Sequence, residues 1–173
     1  MLASIRSAIA EYLTAQTAGS QYISQVFAAP PVLTTEQYLQ LPTNPTNTGA
    51  IVTIYLESAS HSLITLGGQQ NGIYKAAYNA KLVLTVMGLT GDAIAAQNLM
   101  DNAMDELTQI IMSNKQANTP SAVFTWGLGD GVSADDITID MELPNTITLQ
   151  TVEIWGTLGI VVLEMIQGGV SIG

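Results

Sequence analysis

The chain has 173 residues, the size of one domain or of one domain with arms. Only 10% of the residues are charged, 14 Asp or Glu against 4 Lys or Arg, whereas an ordinary soluble domain carries roughly 25%. The 47% hydrophobic content excludes a wholly disordered chain, four basic residues cannot form a nucleic-acid-binding patch, and the absence of cysteine excludes disulfides and thiolate sites. So few charges predict a surface that is partly buried against other subunits.

The first predicted element is an amphipathic helix over residues 2–17, with Gly19 as its stop. Its apolar residues recur at helical spacing and are Leu2, Ile5, Ile9 and Leu13. A short strand is predicted over residues 22–27. The following stretch, about residues 28–48, is rich in Pro, Thr and Asn and is predicted to be an arm or loop.

Two alternating segments predict a β-hairpin in the next part of the chain. Residues 50–57 are rich in β-branched side chains and predict a strand, and a second short run follows at residues 61–66. Residues 73–88 predict a long strand with one buried face, because their even positions are apolar or aromatic. These even positions are Tyr74, Ala76, Tyr78, Ala80, Leu82, Leu84 and Val86. The glycine-bounded sequence GGQQNG, residues 67–72, predicts the turn.

A second helix is predicted to begin after Asp92, a good N-cap residue, and to have Lys115 in its last turn. Its apolar stripe consists of Ala96, Leu99, Met100, Ala103, Leu107 and Ile110. The sequence NKQANTPSA that follows is predicted to be a connector. Residues 123–126 begin another extended segment, and the Gly- and Asp-rich residues 127–136 predict a loop.

The C-terminal part is predicted to complete the sheet. Residues 137–143 alternate as a strand with an acidic outer face, and two apolar runs, 147–155 and 158–166, are predicted to be strands joined at Gly156. The residues after Gly169 are predicted to be a tail. The order of helix, strands, helix and strands predicts a single α+β domain, with a mainly antiparallel sheet and two helices packed on one face.

The residues that carry catalysis in other proteins are sparse. His61 is the only histidine and is interpreted as a hairpin residue, because a Ser–His pair one residue apart on a strand points to opposite faces. The glycines of WGLGDG, residues 126–131, do not continue into a nucleotide-binding pattern and predict a turn. Glu153 and Glu164 are interpreted as outward acids on adjacent strands. We therefore expect no catalytic residue, no cofactor and no enzymatic activity.

Five acidic residues lie close together in the sequence: Asp130, Asp135, Asp136, Asp140 and Glu142. Their spacing does not match a calcium-binding EF-hand, so a solvated acidic loop is the preferred interpretation, although a cation site stays an alternative. A further interpretation is a surface beside DNA, since carboxylates repel phosphates and allow a nucleic acid to slide past without binding.

The order and character of the elements resemble a known family. A helix (LASIRSAIAEYL) precedes a long strand (IYKAAYNAKLVLTVMG), a second helix (DAIAAQNLMDNAMDELTQII) and two terminal strands (ITLQTVEIW and LGIVVLEMI). This series resembles the tail terminator and head–tail joining (neck) proteins of long-tailed bacteriophages, over about residues 2–17 and 50–166. Two segments, residues 28–48 and 127–136, depart from the pattern of a minimal member of this family.

The resemblance implies a structural virion protein of the tail or neck, assembled in the host cytoplasm. Such a subunit forms a ring, usually of six, that caps the tail tube, contacts a connector or stopper protein of the head, and passes DNA through its bore without specific binding. The five acidic residues would face that passage. The turn predicted to contact a neighbouring subunit or partner consists of Gly67, Gly68, Gln69, Gln70, Asn71 and Gly72.

Two alternatives stay open. The first is another structural component of a tail or tube. The second, from a different class, is a small binding module or enzyme with a calcium-supported loop. The N terminus and the most apolar segment, residues 158–166, lack the features of a signal peptide and a membrane span, so we expect a soluble protein with no membrane partner.

Overall fold

The structure is a computed structural model and describes residues 2–31, 49–64, 72–89, 93–114, 116–127, 137–141, 145–148, 151–167 and 170–172. These ranges contain two helices and nine strands. The helices are α1 (Leu2–Gln16) and α2 (Ala93–Ser113). The strands are β1 (Ile23–Phe27), β2 (Ala50–Leu63), β3 (Ile73–Leu89), β4 (Gln116–Asn118), β5 (Val123–Trp126), β6 (Ile137–Met141), β7 (Asn145–Thr148), β8 (Thr151–Gln167) and β9 (Val170–Ile172).

The strands form one sheet in the order β1-β2-β3-β8-β5-β4. Only β1 and β2 pair in parallel, and the other pairs are antiparallel. β8 is the centre of the sheet. β3 pairs with its whole length on one side, and β5, β6, β7 and β9 pair with shorter parts of it on the other side. The expectation of a mainly antiparallel sheet is confirmed.

The core lies between one face of the sheet and both helices. Alternate residues of a strand point to opposite faces, and the even positions of β3 and β8 are the buried ones. They pack with the apolar stripes of the helices in one cluster, which confirms a single α+β domain with two helices on one face. Its largest fully buried side chains include Tyr78, Phe124, Ile9, Leu13, Leu84, Met100, Leu107 and Ile154.

Side-chain contacts hold α1 against β5 and the turn that precedes it. The ring of Tyr12 meets those of Phe124 and Trp126 edge-on, with centroids 6.1 and 6.0 Å away. Ser121 donates its hydroxyl to Glu11 Oε1 at 2.5 Å, which joins the helix to the β4–β5 turn. These contacts place α1 over β5 as well as over β1 and β2.

One predicted turn is wrong. The runs 147–155 and 158–166 are not two strands joined at Gly156, because β8 runs without a break through that glycine. Gly156 has Leu84 as its partner on one side and Met141 on the other. At Gly159, an added Cβ would lie 2.5 Å from Thr138 Oγ1, so this glycine lets β6 approach β8 closely.

Several smaller predictions need correction. Residues 50–57 and residues 61–63 of the second run belong to a single strand, β2, which continues through a bulge between Leu56 and Ser58. The residues after Gly169 are not only a tail, since β9 pairs with the end of β8. The connector NKQANTPSA contains β4. α2 ends at Ser113, and Lys115, predicted to lie in its last turn, is outside the described residues.

Candidate assembly surface

The face of the sheet opposite the helices carries large apolar side chains that are exposed. We call this the open face and define it by Tyr55, Lys81, Val83, Thr85, Trp155, Thr157, Val161, Leu163 and Met165. Trp155 is 44% exposed, Tyr55 40% and Met165 37%, and Val83, Val161 and Leu163 are half-buried. Neither described helix lies on this face. The sequence signal for the open face is the set of odd positions of β3 and β8. This signal is complete only when residues 151–167 are read as one strand.

The open face is continuous across three strands. Tyr55 on β2 lies beside Lys81 on β3, and Thr85 on β3 lies beside Trp155 on β8. Near the end of β8, Leu163 and Met165 line a shallow depression together with residues of β3, β4 and β5. The residues of these strands that line it are Lys75, Gln116, Val123, Phe124 and Thr125.

An ion pair between neighbouring strands lies at the open face. Lys81 Nζ lies 2.7 Å from Glu57 Oε1, and both side chains are about half exposed, at 44% and 51%. The hydrogen bond to Glu57 raises the pKa of Lys81, helped by the charges of Glu57 and Asp140 and opposed by partial desolvation. The opposite charges of Lys81 and Glu57 compensate each other at the bulge of β2. This pair therefore adds no net charge beside Tyr55.

The far half of β2 forms a hairpin with β3 that extends past the core. From Ser58 to Leu63 every side chain of β2 is exposed. Leu63 is 50% exposed and the following Ile64 51%. His61, predicted to be a hairpin residue, lies on this segment with its ring 6.3 Å from that of Tyr78. The far half of β2 therefore offers a second surface, without Asp, Glu, Lys or Arg side chains of its own, beside the open face.

A buried carboxylate lies on the helix-bearing face. Glu164 was expected to face outward, but it is only 3% exposed, because it shares the even positions of β8 with Val162 and Ile166. The hydroxyl of Tyr78 donates to Glu164 Oε2 at 2.8 Å within the core. Burial raises the pKa of Tyr78, and the hydrogen bond and negative charge of Glu164 raise it further. Glu153 lies on the same strand, not on an adjacent one.

Most of the residues predicted to form sites fall outside the described ranges. Of the acidic set, Asp140 is described: it is exposed on β6, opposite Thr157 of the open face. Asp130, Asp135, Asp136 and Glu142 lie outside the described residues, as do Gly67, Gly68, Gln69, Gln70 and Asn71 of the predicted turn. Gly72, the last residue of that turn, is buried just before β3.

The described ranges contain neither a cluster of metal ligands nor a helix that could span a membrane. In these ranges, no three His, Asp or Glu side chains come together as ligands for a metal ion. Neither α1 nor α2 is long and apolar enough to cross a bilayer.

No known protein family and no curated protein matches the sequence of this chain. The resemblance to phage tail and neck proteins therefore depends on the order and character of the elements predicted from the sequence.

Proposed function

We propose that the protein is a structural subunit of a long-tailed bacteriophage virion, a ring-forming tail terminator or head–tail joining protein. In this role it caps the tail tube, joins it to the head through a connector or stopper protein, and leaves a passage for DNA. It acts through shape and assembly, without a cofactor or catalysis.

The open face is the observation that carries this proposal. Antiparallel sheets with one face on the core expose polar side chains on the other face. On this protein the other face instead presents Tyr55, Trp155 and Met165 around the half-buried Val161 and Leu163. Contiguous apolar patches on a soluble protein mark contacts with other chains. A sheet face of this kind supports a protein whose role is to be packed against its neighbours.

The distribution of charge supports the same proposal. A subunit of a ring uses two different patches of its surface, one for each neighbour. The open face and the extended β2–β3 hairpin are two such patches, and both carry few charges. Asp101 and Asp105 are exposed on α2, away from both patches. Neutral surfaces allow copies of a chain with a net charge of −10 to approach one another.

Negative-stain imaging of the purified full chain tests the proposal. We expect annular particles with a central hole, and we expect them to bind at one end of isolated tail tubes. Images that contain only particles of single-subunit size, both alone and after incubation with tubes, would overturn it.

The acidic passage has its own test. Asp135→Lys with Asp136→Lys should leave folding intact but slow DNA passage, because cations in the bore would bind the phosphates. Asp101→Lys with Asp105→Lys, on the exposed surface of α2, changes the net charge equally and serves as the matched control. Infectivity of the two double variants should differ, and equal infectivity would contradict a passage lined by Asp135 and Asp136.

A further inference from the structure

The far half of β2 has an edge that no strand of the described chain covers. β1 pairs with β2 only as far as Thr53, whereas β3 follows the opposite side of β2 to Leu63. Residues 54–63 therefore have a strand partner on one side and, within the described ranges, none on the other. We call the exposed part of this segment, residues 58–63, the free edge.

The register of the hairpin identifies the backbone groups that point out of the free edge. Ile64 donates its N–H to the carbonyl oxygen of Ile73 at 2.8 Å, so these residues form a hydrogen-bonded pair of the ladder. In an antiparallel ladder every second residue is bonded to the partner strand, and the residues between point their N–H and C=O groups the other way. The outward-pointing residues of the free edge are therefore Ala59, His61 and Leu63.

The free edge lacks the features with which proteins protect exposed strands. Charged residues, above all Lys, together with Pro and bulges prevent a foreign strand from pairing. The sequence SASHSL of residues 58–63 contains no Asp, Glu, Lys, Arg or Pro. The bulge of β2 lies before this segment, between Leu56 and Ser58. Such an edge is suited to accept another strand by β-augmentation.

We propose that the free edge pairs with the free edge of a second copy of this chain, antiparallel and about a two-fold axis at His61. In this register Ala59 of one copy lies opposite Leu63 of the other, and Ser60 lies opposite Ser62. The three outward residues of each copy exchange N–H and C=O hydrogen bonds across the axis. The exposed Leu63 side chain packs beside a small Ala59, and no like charges meet.

Length and charge select a second copy as the partner. The other outer strands of the described sheet are short, since β4 and β9 have three residues and β1 has five. β7 and β6, which also pair with β8, have four and five residues. The same edge of another copy matches the free edge residue for residue, whereas β4, β7 and β9 are shorter, and β1 and β6 each pair with another strand of their own chain. That edge is uncharged, so two copies of this acidic chain can meet there without the repulsion that like charges cause across strands.

This pairing does not depend on the proposed ring. A two-fold contact uses the same surface on both copies and closes after two of them. It engages the backbone edge of β2 and leaves the open face and the side-chain faces of the hairpin available for other neighbours. In a ring-forming protein, the same contact would join two rings to each other.

Cysteine crosslinking of the full chain tests the two-fold register. The natural chain contains no cysteine, so each introduced thiol is the only one present. In His61→Cys the two thiols face each other at the axis, where Cα atoms about 5.5 Å apart are within reach of a disulfide. We expect H61C to form a covalent dimer on mild oxidation. A mixture of Ala59→Cys and Leu63→Cys should also crosslink, whereas either of these two variants alone should not.

The rate of crosslinking by random collision is measured with the variant Ser113→Cys, because Ser113 is exposed at the end of α2. Crosslinking of H61C no faster than that of S113C would overturn the proposal, as would A59C crosslinking with itself as fast as H61C. Imaging separates this result from the fate of the ring. Crosslinked dimers without annular particles would support the pairing and contradict the ring, and annular particles without H61C crosslinks would do the reverse.

A second variant removes the hydrogen bonds themselves. His61→Pro deletes an N–H that points out of the free edge but none that bonds to β3. We expect two-fold association to weaken about tenfold in H61P, which loses one hydrogen bond on each copy. His61→Ala keeps the N–H and should associate like the natural chain. Equal association of H61P and H61A, measured by sedimentation on samples with the same melting temperature, would contradict the proposal.

Discussion

The two faces of the sheet alternate along the same strands, yet they differ in what covers them. On the helix-bearing face, Leu82, Leu84 and Val162 are fully buried. Their neighbours on the open face, Val83 and Val161, are only half-buried although they are equally apolar. One strand of alternating residues can thus supply a core with one set of side chains and a contact surface with the other. The difference is in the covering elements, since both helices pack on one side.

The two faces should respond differently to substitution. Substitutions on the helix-bearing face should change the free energy of unfolding, because the helices that cover it belong to the same chain. Substitutions on the open face should change the association of chains and leave unfolding nearly unchanged. The predictions below run from the largest expected loss of stability to the smallest.

Leu107→Ala should have the largest effect. Leu107 lies on α2 and is fully buried in the core cluster. Its truncation removes apolar contact and leaves a cavity, so the free energy of unfolding should fall by about 2–5 kcal/mol. Urea unfolding followed by circular dichroism measures the change. A loss below about 1 kcal/mol would mean that α2 does not pack on the sheet as described.

Tyr78→Phe should have an intermediate effect. The hydroxyl of Tyr78 donates a hydrogen bond to Glu164, which is buried. Without that donor the carboxyl loses its bond while it remains out of water, which should cost about 1–3 kcal/mol. Urea unfolding at neutral pH provides the measurement. A variant as stable as the natural chain would show that Glu164 finds another partner.

The same variant should change the response to alkaline pH. The pKa of Tyr78 is raised in the folded protein, so it keeps its proton there while an unfolded tyrosine loses it near pH 10. The unfolded state then binds fewer protons, and stability should fall above that pH by up to about 1.4 kcal/mol per pH unit. The natural chain should therefore lose more stability than Y78F above pH 10, and parallel curves would refute a raised pKa.

Trp155→Thr should have the smallest effect on unfolding. Trp155 is almost half exposed on the open face, and Thr suits a strand. We expect a change within about 0.5 kcal/mol, as for other surface substitutions, but a clear loss of association. Thr85→Ser, on the neighbouring strand, removes only a methyl group from the same face and is the control. A large loss of stability in W155T would assign this side chain to the core.

Periodicity predicted most of the fold. Residues 73–88 alternate with the two-residue period of a strand, and the apolar stripe of α2 follows the period of a helix. Each has one buried face, so the predicted ends of β3 and α2 lie close to the observed ones. Gly156 was misinterpreted as a turn, because a glycine inside a strand and a glycine in a turn give the same local sequence signal. β4 and β9 are three-residue strands that depend on a partner strand, not on a pattern of their own.

The candidate surface was less accessible to sequence reasoning than the fold. The scarcity of charge indicated contact with other chains but not its place. Trp155 and Met165 share a face only once β8 is one continuous strand, and Glu164 points inward for the same reason. Which apolar face a chain covers depends on where its helices pack, and that is a tertiary property.

The mass of the full chain in solution tests the central claim, that the open face is a contact between subunits, most directly. At tens of micromolar, sedimentation should give the natural chain a mass that is a multiple of 18.3 kDa and W155T a smaller mass. A natural chain that sediments at 18.3 kDa, or a W155T variant that keeps the full mass of the assembly, would contradict it.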